Sequence, residues 1–314
     1  MLLSPTRMNE SAFSHGIDPP SPTLSARLRE LADYLAAPMA GRLTEEQRAL
    51  SLGIARRLVS DVAARLDHDI DAARLWDEWL VRGLPRTSRL AGICFARAEE
   101  HRWREQSAQQ ASPSPVSPEA GTAVAHEPAD EPGPSDAERA YLALRIADRR
   151  RFDAFGNPAL AIADLDADIF QGLLLDIAAW RLAEVSKDQK RAAALGDAVR
   201  AATEAQTSDG GITQAGVAYA EILGSERLAD AAAAAIAGHD WPTLVALAAA
   251  VHRRAYDDMA LALLTAETGA LPSLLAPLRI DHAALAPLEA SLAMLPARAA
   301  GESDLAGLPA GRDR

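Results

Sequence analysis

Cysteine is almost missing from this sequence: Cys94 is the only one in 314 residues, so no internal disulfide and no cysteine-built metal site can form. Lysine is nearly as scarce, with Lys187 and Lys190 alone among 32 cationic side chains, which leaves arginine to carry the positive charge. Aromatic residues make up 4% of the chain, and with abundant Ala and Leu this disfavours a strand-rich fold and points to closely packed helices. No apolar run reaches the roughly eighteen residues that a spanning helix needs. Residues 1–22 also lack the basic start, apolar stretch and small-residue cleavage site of a secretory leader, so a cytoplasmic location is expected. Positive charge is in deficit as well. The 32 Lys and Arg against 44 Asp and Glu leave −12, which repels phosphate backbones and anionic lipid heads; neither nucleic acid nor membrane is expected as a partner.

Motifs that carry chemistry are equally sparse. There is no glycine-rich phosphate loop, and Gly210-Gly211 reads as a turn. The seven histidines include no pair at three- or four-residue spacing, so His68-Asp69 and His239-Asp240 read as turn and cap residues. Asp164-Leu165-Asp166-Ala167-Asp168 imitates the start of a calcium loop, but Ile169 and Leu175 stand where that loop needs Gly and a bidentate Glu. Those acids are expected to favour the positive end of the helix that follows. Cys94 sits in an apolar helical pattern, as a small core residue does. No enzymatic activity, metal or cofactor is expected.

What is present is helical grammar. Leu24, Leu28, Leu31 and Leu35 form one apolar stripe that stops before Pro38. Thr44-Glu45-Glu46-Gln47 is a reciprocal cap, followed by Leu50, Ile54, Leu58, Val62 and Leu66 along one side. Ile70, Ala73, Trp76 and Leu80 predict a third helix ended by Gly83 and Pro85, and Leu90, Ile93, Cys94 and Ala98 a fourth. Further on, Ser135 to Glu138 and Ser186 to Gln189 read as caps, with Ile169, Leu173, Ile177 and Trp180 on a helix between them. From Gly210 the chain breaks into short Ala-rich helices separated at Gly224, Gly238-His239-Asp240, Tyr256-Asp257 and Gly269. Six prolines between Gln106 and Pro134, with almost no core formers, mark a linker. The expected organisation is a disordered N-terminus (1–22), a helical bundle (23–105), a disordered linker (106–135), a helical-repeat domain (136–297) and a disordered tail (298–314).

Two places invite function. Arg149, Arg150 and Arg151 precede Phe152 and Phe155; this basic and aromatic group could hold an acidic or phosphorylated protein segment through forked guanidinium contacts, against the plainer reading of a solvated helix end. Glu99-Glu100-His101-Arg102 resembles the phosphoacceptor box of histidine kinases, which makes His101 the alternative site. Ala98 and Cys94, three and seven residues earlier, argue instead for an imidazole at the edge of the core.

Residues Leu43 to Leu50 running into Ile54 to Val59, then Arg151 to Pro158, then Asp240-Trp241-Pro242-Thr243-Leu244 with its Ala-rich sequel, resemble the bacterial family called domain of unknown function 2336, common in alphaproteobacteria. The resemblance implies helical repeats of the HEAT type and a recognition surface without naming its ligand. The chain departs from that family at Asp67 to Trp79 and in its Pro-rich insert. The expectation is therefore an all-α protein of short helices, bundled or HEAT-like, serving as a protein-interaction or scaffold module. Phosphotransfer through His101 is the alternative.

Overall fold

The computed structural model describes residues 43–85, 87–110, 133–208 and 210–295. The tails expected at 1–22 and 298–314, the Leu24 to Leu35 stripe and residues 111–132 of the expected linker lie outside the described residues. Gln106 to Gln110, placed in that linker by the proline argument, belong to a helix.

The described residues form helices and no strand, apart from one isolated bridge between Phe152 and Pro158. The first, α1 (Glu45–Leu66), opens with the cap read from the sequence. Thr44 Oγ1 accepts from the Gln47 N–H at 3.2 Å, and the Gln47 side chain accepts from the Thr44 N–H at 3.0 Å. In α2 (Ala72–Arg82), the Asp71 carboxylate accepts from two first-turn amides and Gly83 ends the helix. Next come α3 (Thr87–Gln110) and α4 (Asp136–Arg149), the latter capped by Ser135 and Glu138. A short 3₁₀ turn (Ile162–Asp164) leads into α5 (Ala167–Val185) and α6 (Gln189–Ser208).

The cap expected at Ser186 falls elsewhere. Ser186 keeps helical backbone angles at the end of α5 and so cannot take the extended conformation that a helix-opening cap requires. Asp188 takes the role, its carboxylate accepting from the Lys190 and Arg191 amides, each at 3.1 Å.

The remaining helices are α7 (Ile212–Ala237), α8 (Trp241–His252), α9 (Tyr256–Thr265), α10 (Leu271–Leu275) and α11 (Ala286–Ala293). The break expected at Gly224 is a bend within α7, whereas Gly238-His239-Asp240 does separate two helices. Alanine and glycine let α7 and α8 lie close together: a Cβ on Gly216 would stand 2.9 Å from Ala246 Cβ. Among the described residues no helix is long and apolar enough to cross a membrane.

The apolar faces meet in two cores, and neither follows the expected division of the chain. One joins α1, α2 and the first half of α3 to Phe170, Leu173 and Ile177 of α5 and to Leu195 of α6. The other collects Leu144 of α4 and most of α7 to α11 around Trp103, from the second half of α3. Helix α3 therefore belongs to both. Its residues 94–103 are buried without interruption, although they include Arg97, Glu99, Glu100, His101 and Arg102. A helix enclosed on all sides is ordinarily apolar all round. Here charged groups fill the enclosed part, and they persist because each finds a partner.

Candidate functional site

At the end of α4 the chain turns sharply. The Arg151 amide donates to Asp148 O at 3.0 Å and the Phe152 amide to Arg149 O at 3.3 Å, and this turn swings Arg151 into the interior while Arg149 and Arg150 stay exposed. Arg151 has no exposed surface. Its Nη2 donates to Glu100 Oε2 at 2.8 Å and Asp257 Oδ1 at 2.6 Å, and its Nη1 to Asp164 Oδ2 at 3.1 Å. Carboxylates from three separate segments thus converge on one guanidinium.

Glu100 is the second hub. It accepts from Arg97 Nη1 at 3.2 Å and from the Tyr256 hydroxyl at 2.8 Å, and Arg104 approaches it at 3.5 Å. Arg104 also grips Asp148 with both terminal nitrogens, at 2.7 and 2.9 Å. Arg97 completes the arrangement by donating to two backbone carbonyls, Arg151 O at 2.7 Å and Ala159 O at 3.1 Å. Burial opposes charge on Glu100, but Arg151, Arg97, Arg104 and the Tyr256 hydroxyl hold its carboxyl well below the usual range. Burial likewise opposes charge on Arg151, yet Asp257, Glu100 and Asp164 raise its pKa well above that of an ordinary arginine. The cluster holds three guanidinium groups (Arg97, Arg104, Arg151) and four carboxyls (Glu100, Asp148, Asp164, Asp257), so one carboxylate is in excess. Asp164 answers to that imbalance: burial, reinforced by Asp257, pushes its carboxyl up despite Arg151.

The basic and aromatic group expected at one surface is therefore divided. Arg151 is a core residue, corrected from its reading as a partner-binding side chain, because three carboxylates supply inside the protein what a partner would have supplied outside. Phe152 also turns inward; the Arg97 and Arg104 guanidinium groups lie 4.7 and 5.0 Å from its ring centre, and His101 meets it edge-on at 6.1 Å. His101 lies at the edge of the core. Its ring is buried, Nε2 faces Glu105 Oε1 at 3.2 Å, and burial lowers its pKa. Burial of the ring disfavours the open in-line approach that a phosphoacceptor imidazole needs.

Phe155 goes the other way and is 92% exposed. It sits at the tip of a turn that is braced from within. Asp153 Oδ1 accepts from the Phe155 and Asn157 amides at 2.9 and 2.8 Å, Oδ2 accepts from Asn157 Nδ2 at 2.8 Å, and the Asp153 amide donates to Asn157 O at 2.9 Å. Gly156 supplies the positive φ of 85° that closes the turn. From below, Arg57 donates to Pro158 O through Nε and Nη2 at 2.9 and 2.6 Å. Arg149 and Arg150, six and five residues before Phe155 in sequence, are exposed, and no ion pair occupies either among the described residues.

The carboxylates read as a calcium-like start also separate. Asp164 accepts from the Arg151 guanidinium and, at 2.6 Å, from the Ile212 amide, so it caps α7 rather than α5. Asp166 and Asp168 border a cleft of about 590 Å³ between α3, α5 and α9. Asp257 and Asp258 form its other acidic edge, with Ile93, Ala96, Ile169 and Leu261 as apolar wall. Among the described residues no group of three His, Cys, Asp or Glu side chains is placed to hold a metal ion.

Sequence reasoning missed Glu100, Arg97, Arg104 and Tyr256. Their only signal was spacing, since Arg97, Glu100 and Arg104 are three and four residues apart, which is equally the spacing of ordinary surface pairs. Compared with protein families, curated proteins and solved structures, the chain shows no significant match.

Proposed function

We propose that this protein is a cytoplasmic recognition module that holds a protein partner through the Phe155 tip and the adjacent Arg149 and Arg150. One observation carries the reading: a large aromatic ring, 92% exposed, is held on a turn braced by the Asp153 carboxylate, which accepts from the Phe155 and Asn157 amides. Removing such a ring from water is favourable by about 1.5–3 kcal/mol, and a braced turn loses little conformational freedom on docking. An exposed phenylalanine with exposed, unpaired arginines close by in sequence suits an acidic partner surface with an apolar pocket, and forked guanidinium groups give that contact its orientation. The helical-repeat resemblance is in keeping with a recognition role. The buried charge cluster beneath the turn serves as its foundation.

The test is capture of interacting protein by the wild-type chain and by Phe155→Ala and Arg149→Ala/Arg150→Ala. Capture that falls at least tenfold in both variants, with unchanged melting temperature, supports the reading. Capture that is unaffected by Phe155→Ala overturns it.

A further inference from the structure

The same molecule carries a surface complementary to its own tip. The cleft between α3, α5 and α9 combines apolar walls, among them Ile93 and Leu261, with the carboxylates of Asp166 and Asp258, and its volume of about 590 Å³ leaves room for a phenyl ring. Asp257 and Asp168 in that cleft already have cationic neighbours, Arg151 at 2.6 Å and Arg89 at 3.9 Å. Asp166 and Asp258 have no ion pair closer than 4 Å among the described residues. Partial burial and the nearby Asp257 and Asp166 raise the Asp258 carboxyl above its ordinary range, although Arg254 counters them, so an added cation would be welcome there. A second groove, along the bend of α7, carries Arg253 and Arg254 beside Asp166 and Glu221 and so offers a basic side chain no consistent attraction. Charge therefore selects the first cleft.

From this complementarity we infer that the partner of the Phe155 tip is a second copy of this chain, the ring entering the acidic cleft while Arg149 and Arg150 meet Asp166 and Asp258. The inference rests on the proposed role of the tip. It joins two different patches, so the contact is head-to-tail, and the overall charge of −12 limits its strength. A small contact of this kind is weak and transient.

Sedimentation velocity over a concentration series, with the full-length chain, tests it. Wild type should associate reversibly, and less so in high salt because ion pairs at the rim are screened. Phe155→Asp should weaken association at least tenfold, and so should the charge reversals Arg149→Glu/Arg150→Glu and Asp166→Arg/Asp258→Arg, each with unchanged helical circular dichroism. Mixing the two charge-reversed chains should restore a contact between unlike chains, which general misfolding would not do. A chain that stays monomeric to about 0.5 mM, or associates equally well with Phe155→Asp, overturns the inference. A monomeric wild type whose capture of another protein still depends on Phe155 overturns only the self-association and leaves the proposed role of the tip standing.

Discussion

Arg151 Nη2 meets Glu100 Oε2 at 2.8 Å across 51 residues of sequence, and neither side chain has more than 1% of its surface exposed. This pair ties the turn after α4 to the middle of α3, the helix shared by both cores. Two opposite charges removed from water are costly, and the cost is met here by further donors and acceptors: Asp164 and Asp257 for Arg151, Arg97, Arg104 and Tyr256 for Glu100. Breaking such a pair on one side leaves the other charge buried and unmatched.

Arg151→Ala is accordingly expected to destabilise the protein by about 3–5 kcal/mol in urea denaturation, whereas Arg149→Ala and Arg150→Ala should each stay within about 0.5 kcal/mol. Equal small effects at all three positions would mean that the buried cluster does not hold the fold.

Acid should erase the contribution of Glu100. Its folded-state pKa lies below the unfolded value of about 4.3, so the stability it adds is present above that pH and is lost as pH falls through the folded value. Protonated Glu and Gln are alike in charge and shape. Wild type should therefore exceed Glu100→Gln in stability at pH 7, and the two should converge as pH drops below about 4. A difference that stays constant down to pH 3 would show that the carboxylate charge is not what matters.

The Cys94 thiol is fully buried, and burial pushes its pKa up to about 12. It should resist iodoacetamide at pH 8 in the native protein and react readily in denaturing urea. Native labelling at the rate of a free thiol would place Cys94 at the surface.

Asp188→Ala should cost about 1 kcal/mol and Ser186→Ala only a few tenths, because the carboxylate of Asp188 is what satisfies the opening amides of α6. Thermal unfolding of the two variants compares them directly, and a larger loss at Ser186 would restore the cap to the position first expected.

Much of this protein is set locally, and that much could be read from the sequence. The 3.6-residue spacing of Ile54, Leu58, Val62 and Leu66 determines a buried helical face, and Thr44 with Gln47, or Ser135 with Glu138, determines a helix start, since all the atoms involved lie within a turn or two of each other. The all-helical class follows from the same spacing. Only tertiary structure decided that residues 94–103 of α3 are enclosed on every side, that Arg151 turns inward while Phe155 turns outward, and that Asp164 serves α7 instead of the helix beside it in sequence. The reason is electrostatic. A charged side chain is at home in water or against an opposite charge, and its sequence neighbours cannot reveal which of these the fold provides. For Arg151 the deciding carboxylates stand at 100, 164 and 257, and nothing short of the folded chain brings them together.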